Sequence, residues 1–408
     1  MEHLASNGYY DANIPDITIR PEKVVSETSI LLVAASSAAA HPEIGTRINH
    51  LAQRLIPHAR CERMALGLCM EPFVAWDYAL PHVCLTRLGY RDSAFDGLLR
   101  KSLNSQASAG RERVPHRTLE QEWAAAAWSE PKSRRRPIAS RTARRSILNH
   151  PMDLVNGARD DIYAFTHALM YVTDFNLRPA PLPRRRSVIL AEAEAALTRC
   201  LDDQDYDLAG EVLLSWPLTG TSWSATAAFG FRVLTRVEDK ATFLPTPNTR
   251  IGELKALEGI RRTQYLLATA YHTAYVMGLL CAASLVPGCS PPAAIQYREA
   301  KSGSAMRIMK LLACDDRRPH WYGEIEQLGA PEMDALAGFL INVALRRRTA
   351  ARDFQGVREI LALAYHLDLA EMPAASQAAE MLDRLATFAE ITNRNEEASV
   401  SRMRVQAA

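Results

Sequence analysis

The sequence is poor in the features that make a function easy to name. Its seven cysteines (Cys61, Cys69, Cys84, Cys200, Cys281, Cys289 and Cys314) include no CxxC pair, which excludes zinc ribbons and thioredoxin-like redox motifs. An odd number of scattered thiols in a chain of 408 residues reads as reduced, mostly buried cysteine in a cytoplasmic protein. Lysine is scarce, seven against 41 arginines, and the formal net charge is only +2. That small excess argues against a protein that covers nucleic acid or an anionic membrane. No GxSxG, HExxH, Walker or Rossmann motif occurs, so the common hydrolase, kinase and dehydrogenase classes lose their usual signatures. Strand-like alternation is confined to Phe231, Val233, Thr235 and Val237, in a stretch equally readable as helix. The first apolar run, Ser29 to Ala40, lies behind 28 mostly polar residues with no basic leader, which is not the pattern of a signal peptide.

What is present is helical periodicity. Apolar residues make up 48% and charged residues 23%, the balance of a folded globular chain. Pro42 opens a segment in which Ile44, Ile48, Leu51 and Leu55 form one apolar stripe. A second segment runs from Phe73 to Leu99, and Pro115 opens a third in which Leu119, Trp123 and Ala127 share a face. The expected fold is all-α, a multi-helical array, with an α/α-toroid or helical-repeat bundle as the architectures that suit it. The stretch Pro131–Arg145 carries two prolines and no acid and divides the chain into an N-terminal helical region (1–130), a basic loop or linker (131–150) and a main helical domain (151–408). Asn248 is placed to cap a long helix that Pro287-Gly288 ends. Within it, Leu266 to Val286 is uncharged and long enough to span a bilayer. Its Tyr271, His272, Thr273 and Tyr275 favour a buried core helix, and no membrane association is expected. The hexapeptide Leu267–His272 nearly repeats as Leu361–His366, a weak sign of repetition.

The most informative segment is Asp160–Asp174. At helical spacing Asp160, Tyr163, His167, Tyr171 and Asp174 fall on one stripe, while Ile162, Phe165, Leu169 and Val172 form the apolar face. A stripe of carboxylates, phenols and an imidazole, with no Lys or Arg, has the composition of a pocket wall rather than of a solvated surface. A carboxylate beside an imidazole fixes its tautomer and supports its protonated form, which prepares it for acid–base work near neutrality. His167 is therefore the candidate acid or base, with Asp160 or Asp174 orienting it. Tyr163, Tyr171, His272 and Tyr275 are the candidate substrate-binding residues.

Three other clusters read as structural. His116 and Glu120, four apart, would need His167 to complete a metal triad. Asp202, Asp203, Asp205 and Asp207, with Glu211 beyond, are acid-dense but do not match the DDxxD pattern of class I terpene synthases, and read as solvated helix caps. Asp315–Tyr322 reads as a loop entering a helix. The arginine clusters at 134–136, 184–186 and 346–348 lack interleaved aromatics and read as solvated faces, with no nucleic-acid partner. The long inward-facing helices resemble α/α-toroid enzymes in architecture only. The expectation is a small-molecule enzyme with an apolar helical pocket, a small apolar ligand and proton-transfer chemistry (isomerisation, cyclisation or elimination). No metal is assigned, and cofactor and oligomeric state are left unspecified. The competing expectation is a non-catalytic helical-repeat protein that binds a protein partner or regulates a neighbouring enzyme.

Overall fold

A computed structural model describes residues 2–10, 18–106, 111–129, 141–178, 180–247, 249–295, 303–312 and 317–406, with the side chains of Tyr10, Thr18 and 393–406 excepted. Asn248, Cys314, Asp315, Asp316 and the segment 130–140, which contains half of the basic linker, lie outside the described residues. The fold is an all-α multi-helical array. Among the described residues the only β-structure is a two-residue antiparallel pairing of Tyr9–Tyr10 with Thr18–Ile19.

The chain divides into two compact units. The larger comprises 1–152, 159–296 and 318–326, so both sides of the basic segment belong to it. Eight of its helices bear on the site: α1 (Pro21–Ala35), α2 (Ala75–Arg87), α3 (Pro115–Ser129), α4 (Arg159–Val172), α5 (Arg186–Asp202), α6 (Tyr206–Leu213), α7 (Ala225–Ala241) and α8 (Gly259–Ser284). Pro21 and Pro115 start α1 and α3 where a missing N–H costs nothing. Ser224 caps α7 by accepting from the Ala227 N–H. Six of these helices pack in a closed circuit: α1 on α2, α2 on α3, α3 on α4, α4 on α6, α6 on α8 and α8 back on α1. α5 and α7 pack together against the outer side of α6. An apolar cluster built on Leu32, Ala52, Leu68, Val83 and Leu99 holds the N-terminal helices together. A smaller one joins Leu4 and Val24 to Tyr265, Ala268 and Tyr271 of α8.

α8 is the one described helix long and apolar enough to cross a membrane, and half of its most apolar window is buried within the molecule. Its ionisable residues explain why it serves as a core helix: His272 is engaged by two carboxylates, and Tyr275 hydrogen-bonds Thr28 of α1.

The smaller unit comprises 153–158, 297–317 and 327–408. Its longer helices are α9 (Ser304–Leu312), α10 (Ala337–Ala350), α11 (Phe354–His366) and α12 (Pro373–Gln406). α10 supplies its core through Phe339, Leu340, Ile341 and Val343, all buried, and packs against the other three. Asp334 caps α9, accepting from the Gly303 and Ala305 N–H groups at 2.9 Å each and from the Ser304 hydroxyl at 3.2 Å. The hexapeptide similarity does not mark equivalent positions. Tyr271 is 5% exposed in the middle of a 26-residue helix, whereas Tyr365 is 73% exposed near the end of a 13-residue one.

Candidate functional site

The helix circuit surrounds a cavity of about 1220 Å³, larger than the ~300–1,000 Å³ of an ordinary ligand pocket. His167 of α4 and His272 of α8 both line it, as do Tyr163, Tyr171 and Tyr275. Five of the residues singled out from sequence are thus brought to one place.

Two residues of α6 join the histidines. Asp207 and Glu211 stand one turn apart, which puts their carboxylates on the same face. Asp207 Oδ1 is 2.6 Å from His272 Nδ1, and Glu211 Oε1 is 3.8 Å from His167 Nε2. The other Glu211 oxygen accepts from the Thr166 hydroxyl at 2.6 Å. Glu27 of α1 approaches His272 from the opposite side, its Oε1 3.4 Å from Nε2. A single eight-residue helix therefore presents a carboxylate to each of two histidines carried by different helices.

Local structure sets α6 in place. Asp205 caps it by accepting from the Leu208 N–H and is itself held by Arg159 of α4, Nε to Oδ2 at 2.6 Å. Gly210 lets α8 come close: a Cβ there would sit 2.7 Å from Cγ1 of Val276. That contact lies between Asp207 and Glu211 in sequence and one turn from His272, so the absence of a side chain at 210 governs the distance between the carboxylates and the imidazole.

The electrostatics follow from burial and neighbours. Burial opposes a charge on His272, but Asp207 outweighs it with help from Glu27 and Glu211, and the imidazole pKa rises to about 9. Burial likewise opposes ionisation of Glu211, yet the facing His167 and the Thr166 hydroxyl bring its carboxyl below the ordinary value. Glu27 is shifted the other way, upward, because burial exceeds the attraction of His272 and Lys23. Tyr163 and Tyr171 are pushed up, first by burial, and are phenols rather than phenolates at neutral pH.

A second wall is organised by Arg117 of α3. It donates to Glu120 Oε2 at 2.8 Å and to the Tyr163 hydroxyl at 3.1 Å, while the Tyr171 hydroxyl donates to Glu120 Oε1 at 2.8 Å. The Tyr163 ring lies against His167, centroids 3.9 Å apart. His116 closes this corner, 6.2 Å from His167 between centroids. Burial, then the nearby His167 and Arg117, lowers its pKa to about 4. The triad of His116, Glu120 and His167 considered from sequence does come together loosely, but Glu120 is already bound by Arg117 and Tyr171.

Two sequence expectations are corrected. The carboxylate facing His167 is Glu211, not Asp160 or Asp174. Asp160 is exposed in the first turn of α4 and is not part of the cavity wall. Asp174 lies past the helix end at φ 51°, where Arg87 binds both its oxygens at 2.7 and 2.9 Å and Arg178 and Trp123 add a bond each. The helical stripe breaks before reaching it. The lining is also more charged than expected: nine carboxylates and six Arg or Lys side chains among the described wall residues. A small apolar molecule does not suit such a wall.

Asp207, Glu211, Glu27 and Glu120 were missed as site residues. The first two were visible as acids in the segment Tyr206–Leu213, in which seven of the eight residues are buried and none is basic. A carboxylate in an otherwise apolar short helix is the signal that separates them from the helix cap Asp205, which is buried as well, not solvated as the sequence suggests. Glu120 is marked only by its four-residue spacing from His116, and Glu27 sits on a helix with ordinary surface charge where nothing in the local sequence marks it.

A family profile described as a domain of unknown function (DUF6895) matches residues 11–282, which include every residue of this site, and the chain belongs to that family. No curated protein and no solved structure matches the chain.

Proposed function

We propose that this member of the DUF6895 family is an enzyme that performs proton-transfer chemistry on a small polar molecule held in the cavity, with His167 as the acid or base. The observation that carries the reading is the convergence of two histidine–carboxylate pairs on one cavity, with both carboxylates supplied by α6. His167 has one ring nitrogen toward Glu211 and the other, Nδ1, buried without a hydrogen-bond partner. A buried polar atom left unpaired costs about 1–3 kcal/mol, and such costs are retained where a ligand satisfies the atom. Arg117, held by Glu120 and Tyr163, is the group best placed to bind an anionic substituent of the substrate. The Tyr163 ring stacked on His167 restricts the rotamers of the imidazole. Proton transfer here needs no covalent intermediate: His167 takes a proton from one carbon or heteroatom of the substrate and returns it to another, or to water.

The reading places the protein in the cytoplasm, which the free thiols of Cys61, Cys69, Cys84, Cys200, Cys281 and Cys289 support. It assigns no role to nucleic acid or to a bilayer. A receptor that binds the same molecule without changing it would share the cavity, and turnover separates the two. The test is to incubate a metabolite extract with the wild-type protein and with a His167→Gln variant of unchanged thermal stability, then compare the small molecules by mass spectrometry. The expected result is a substrate–product pair interconverted by the wild type and slowed at least about 100-fold in the variant. Interconversion at equal rates by both proteins would falsify the assignment. Retention of a molecule without conversion would make the protein a receptor.

A further inference from the structure

We infer that Asp207, Glu211 and His272 form a binding site for one divalent transition-metal cation at the acidic wall of the cavity. The inference deepens the reading above and rests on the same cavity: the metal would occupy the α6–α8 side, and His167 would remain the proton-transfer group.

The donor set comes first. One oxygen of each carboxylate and one imidazole nitrogen all lie within 4.8 Å of one another. Two ligands bound to the same ion at about 2.1 Å can be at most about 4.2 Å apart. In a tetrahedral arrangement neighbouring ligands stand about 3.4 Å apart, so the widest pair must close by up to about 1.4 Å, within the reach of χ rotations in Asp207 and Glu211. Two oxygens and one nitrogen favour Mn²⁺, Fe²⁺ or Zn²⁺ over Ca²⁺, which takes oxygen ligands in larger number. The geometry is open toward the cavity, so coordination positions remain for water or substrate.

A second, independent observation points to a missing cation. Oε2 of Glu27 is buried without a well-formed hydrogen bond, and the hydroxyl of Tyr271, a residue 5% exposed, interacts with that carboxylate but is otherwise buried and unpaired. Both belong to the same cavity wall, and Glu27 is the carboxylate that faces His272 from the side opposite Asp207. A carboxylate oxygen only accepts hydrogen bonds when ionised. Glu27 Oε2 lies in a wall already rich in carboxylates, and even with the His272 imidazolium counted the wall's own cations fall short of its nine carboxylates. A bound M²⁺ that replaces the His272 proton would add one net positive charge to this wall, and a metal-bound water would give Glu27 Oε2 and the Tyr271 hydroxyl a hydrogen-bond partner. When the ion enters, the His272 imidazole binds it as the neutral base and its proton passes to solvent; no electron is transferred.

The test is titration of the full-length, chelator-treated protein with Mn²⁺, followed by isothermal calorimetry and by the electron paramagnetic resonance signal of the free ion. The expected result is one Mn²⁺ per chain, displaced by Zn²⁺. Asp207→Asn and Glu211→Gln should each weaken binding at least about tenfold. Asp203→Asn, which neutralises a wall carboxylate outside the donor set, should leave it unchanged. His272→Ala is a stricter variant, admitted only if its melting curve shows a cooperative fold. Absence of stoichiometric binding, or equal weakening by Asp203→Asn, would overturn the site, the latter because it reveals diffuse attraction. Binding of spermidine with no binding of Mn²⁺ would overturn it in favour of an organic amine. The outcomes for metal and for turnover are separable. A folded protein that converts its substrate but binds no Mn²⁺ sinks the metal site alone, and one that binds Mn²⁺ but converts nothing sinks the enzyme alone.

Discussion

The larger unit holds two sets of buried or half-buried carboxylates that are satisfied in opposite ways. Asp174, 3% exposed, is surrounded by donors: the Arg87 guanidinium on both oxygens, the Arg178 Nε and the Trp123 indole N–H. Burial disfavours its charge, but these groups, led by Arg87, hold its carboxyl below the ordinary value. Asp207, Glu211 and Glu27 are arranged around two imidazoles, with one carboxylate oxygen unpaired and Glu27 shifted upward. A saturated buried anion fixes structure, because every atom around it is committed. An undersaturated set has capacity left for something that is not protein. By this difference the stripe on α4 ends in a structural aspartate, and the chemistry lies across the cavity on α6.

The contrast can be broken most directly by mutation. Asp174→Ala leaves the Arg87 guanidinium, whose side chain is 8% exposed, without its partner, and should cost about 3–5 kcal/mol in urea denaturation. Glu211→Gln in the metal-free protein should cost about 1 kcal/mol or less, since it relieves repulsion as well as removing an ion pair. If the two losses were reversed, the distinction between saturated and undersaturated sets would fail. Next in size is Gly210→Val, whose side chain meets Val276. Overpacking there should cost about 1–3 kcal/mol and separate His272 from Asp207. Gly252→Ala, in a helix with open space around the position, should instead gain up to about 1 kcal/mol.

The smallest expected effect is a pH slope. Asp174 has a folded pKa below its ordinary 3.8, so the folded state favours its charged form. The stability it contributes is present above about pH 4 and is lost as pH falls through the lower folded value. The urea midpoint of the wild type should therefore drop between pH 4 and pH 2 more steeply than that of Asp174→Asn. Parallel profiles would mean that the Arg87 pair does not favour the charged aspartate.

Much of the fold was legible because helical burial is local. Ile162, Phe165, Leu169 and Val172, read as an apolar stripe, are all buried, and Tyr163, His167 and Tyr171 beside them line the cavity. Sequence periodicity reports which face of a helix is inward, and it did so for α4 and for His272 and Tyr275 of α8. It could not report which residues from other helices that face meets. Asp207 lies 65 residues from His272, and Glu211 lies 45 from Thr166. Asp174 was misassigned because the stripe was extended one turn too far, past Val172, where the backbone turns to positive φ over Asp174, Phe175 and Asn176. The histidines were findable as rare residues on buried faces; their carboxylates resembled the surface acids that surround them.

The helix circuit also bears on how the chain is made. Its last contact joins α1 to α8, as in the hydrogen bond between Thr28 and Tyr275, 247 residues apart. During synthesis α1 and α2 leave the ribosome long before α8 exists, so the ring stays open and Val24, Leu31 and their neighbours lack the partner that covers them. Contacts this distant in sequence are slow to form, and exposed apolar surface in the interval favours aggregation. A nascent chain truncated before residue 259 should accordingly depend on chaperones, whereas extension through residue 284 supplies the helix that closes the ring.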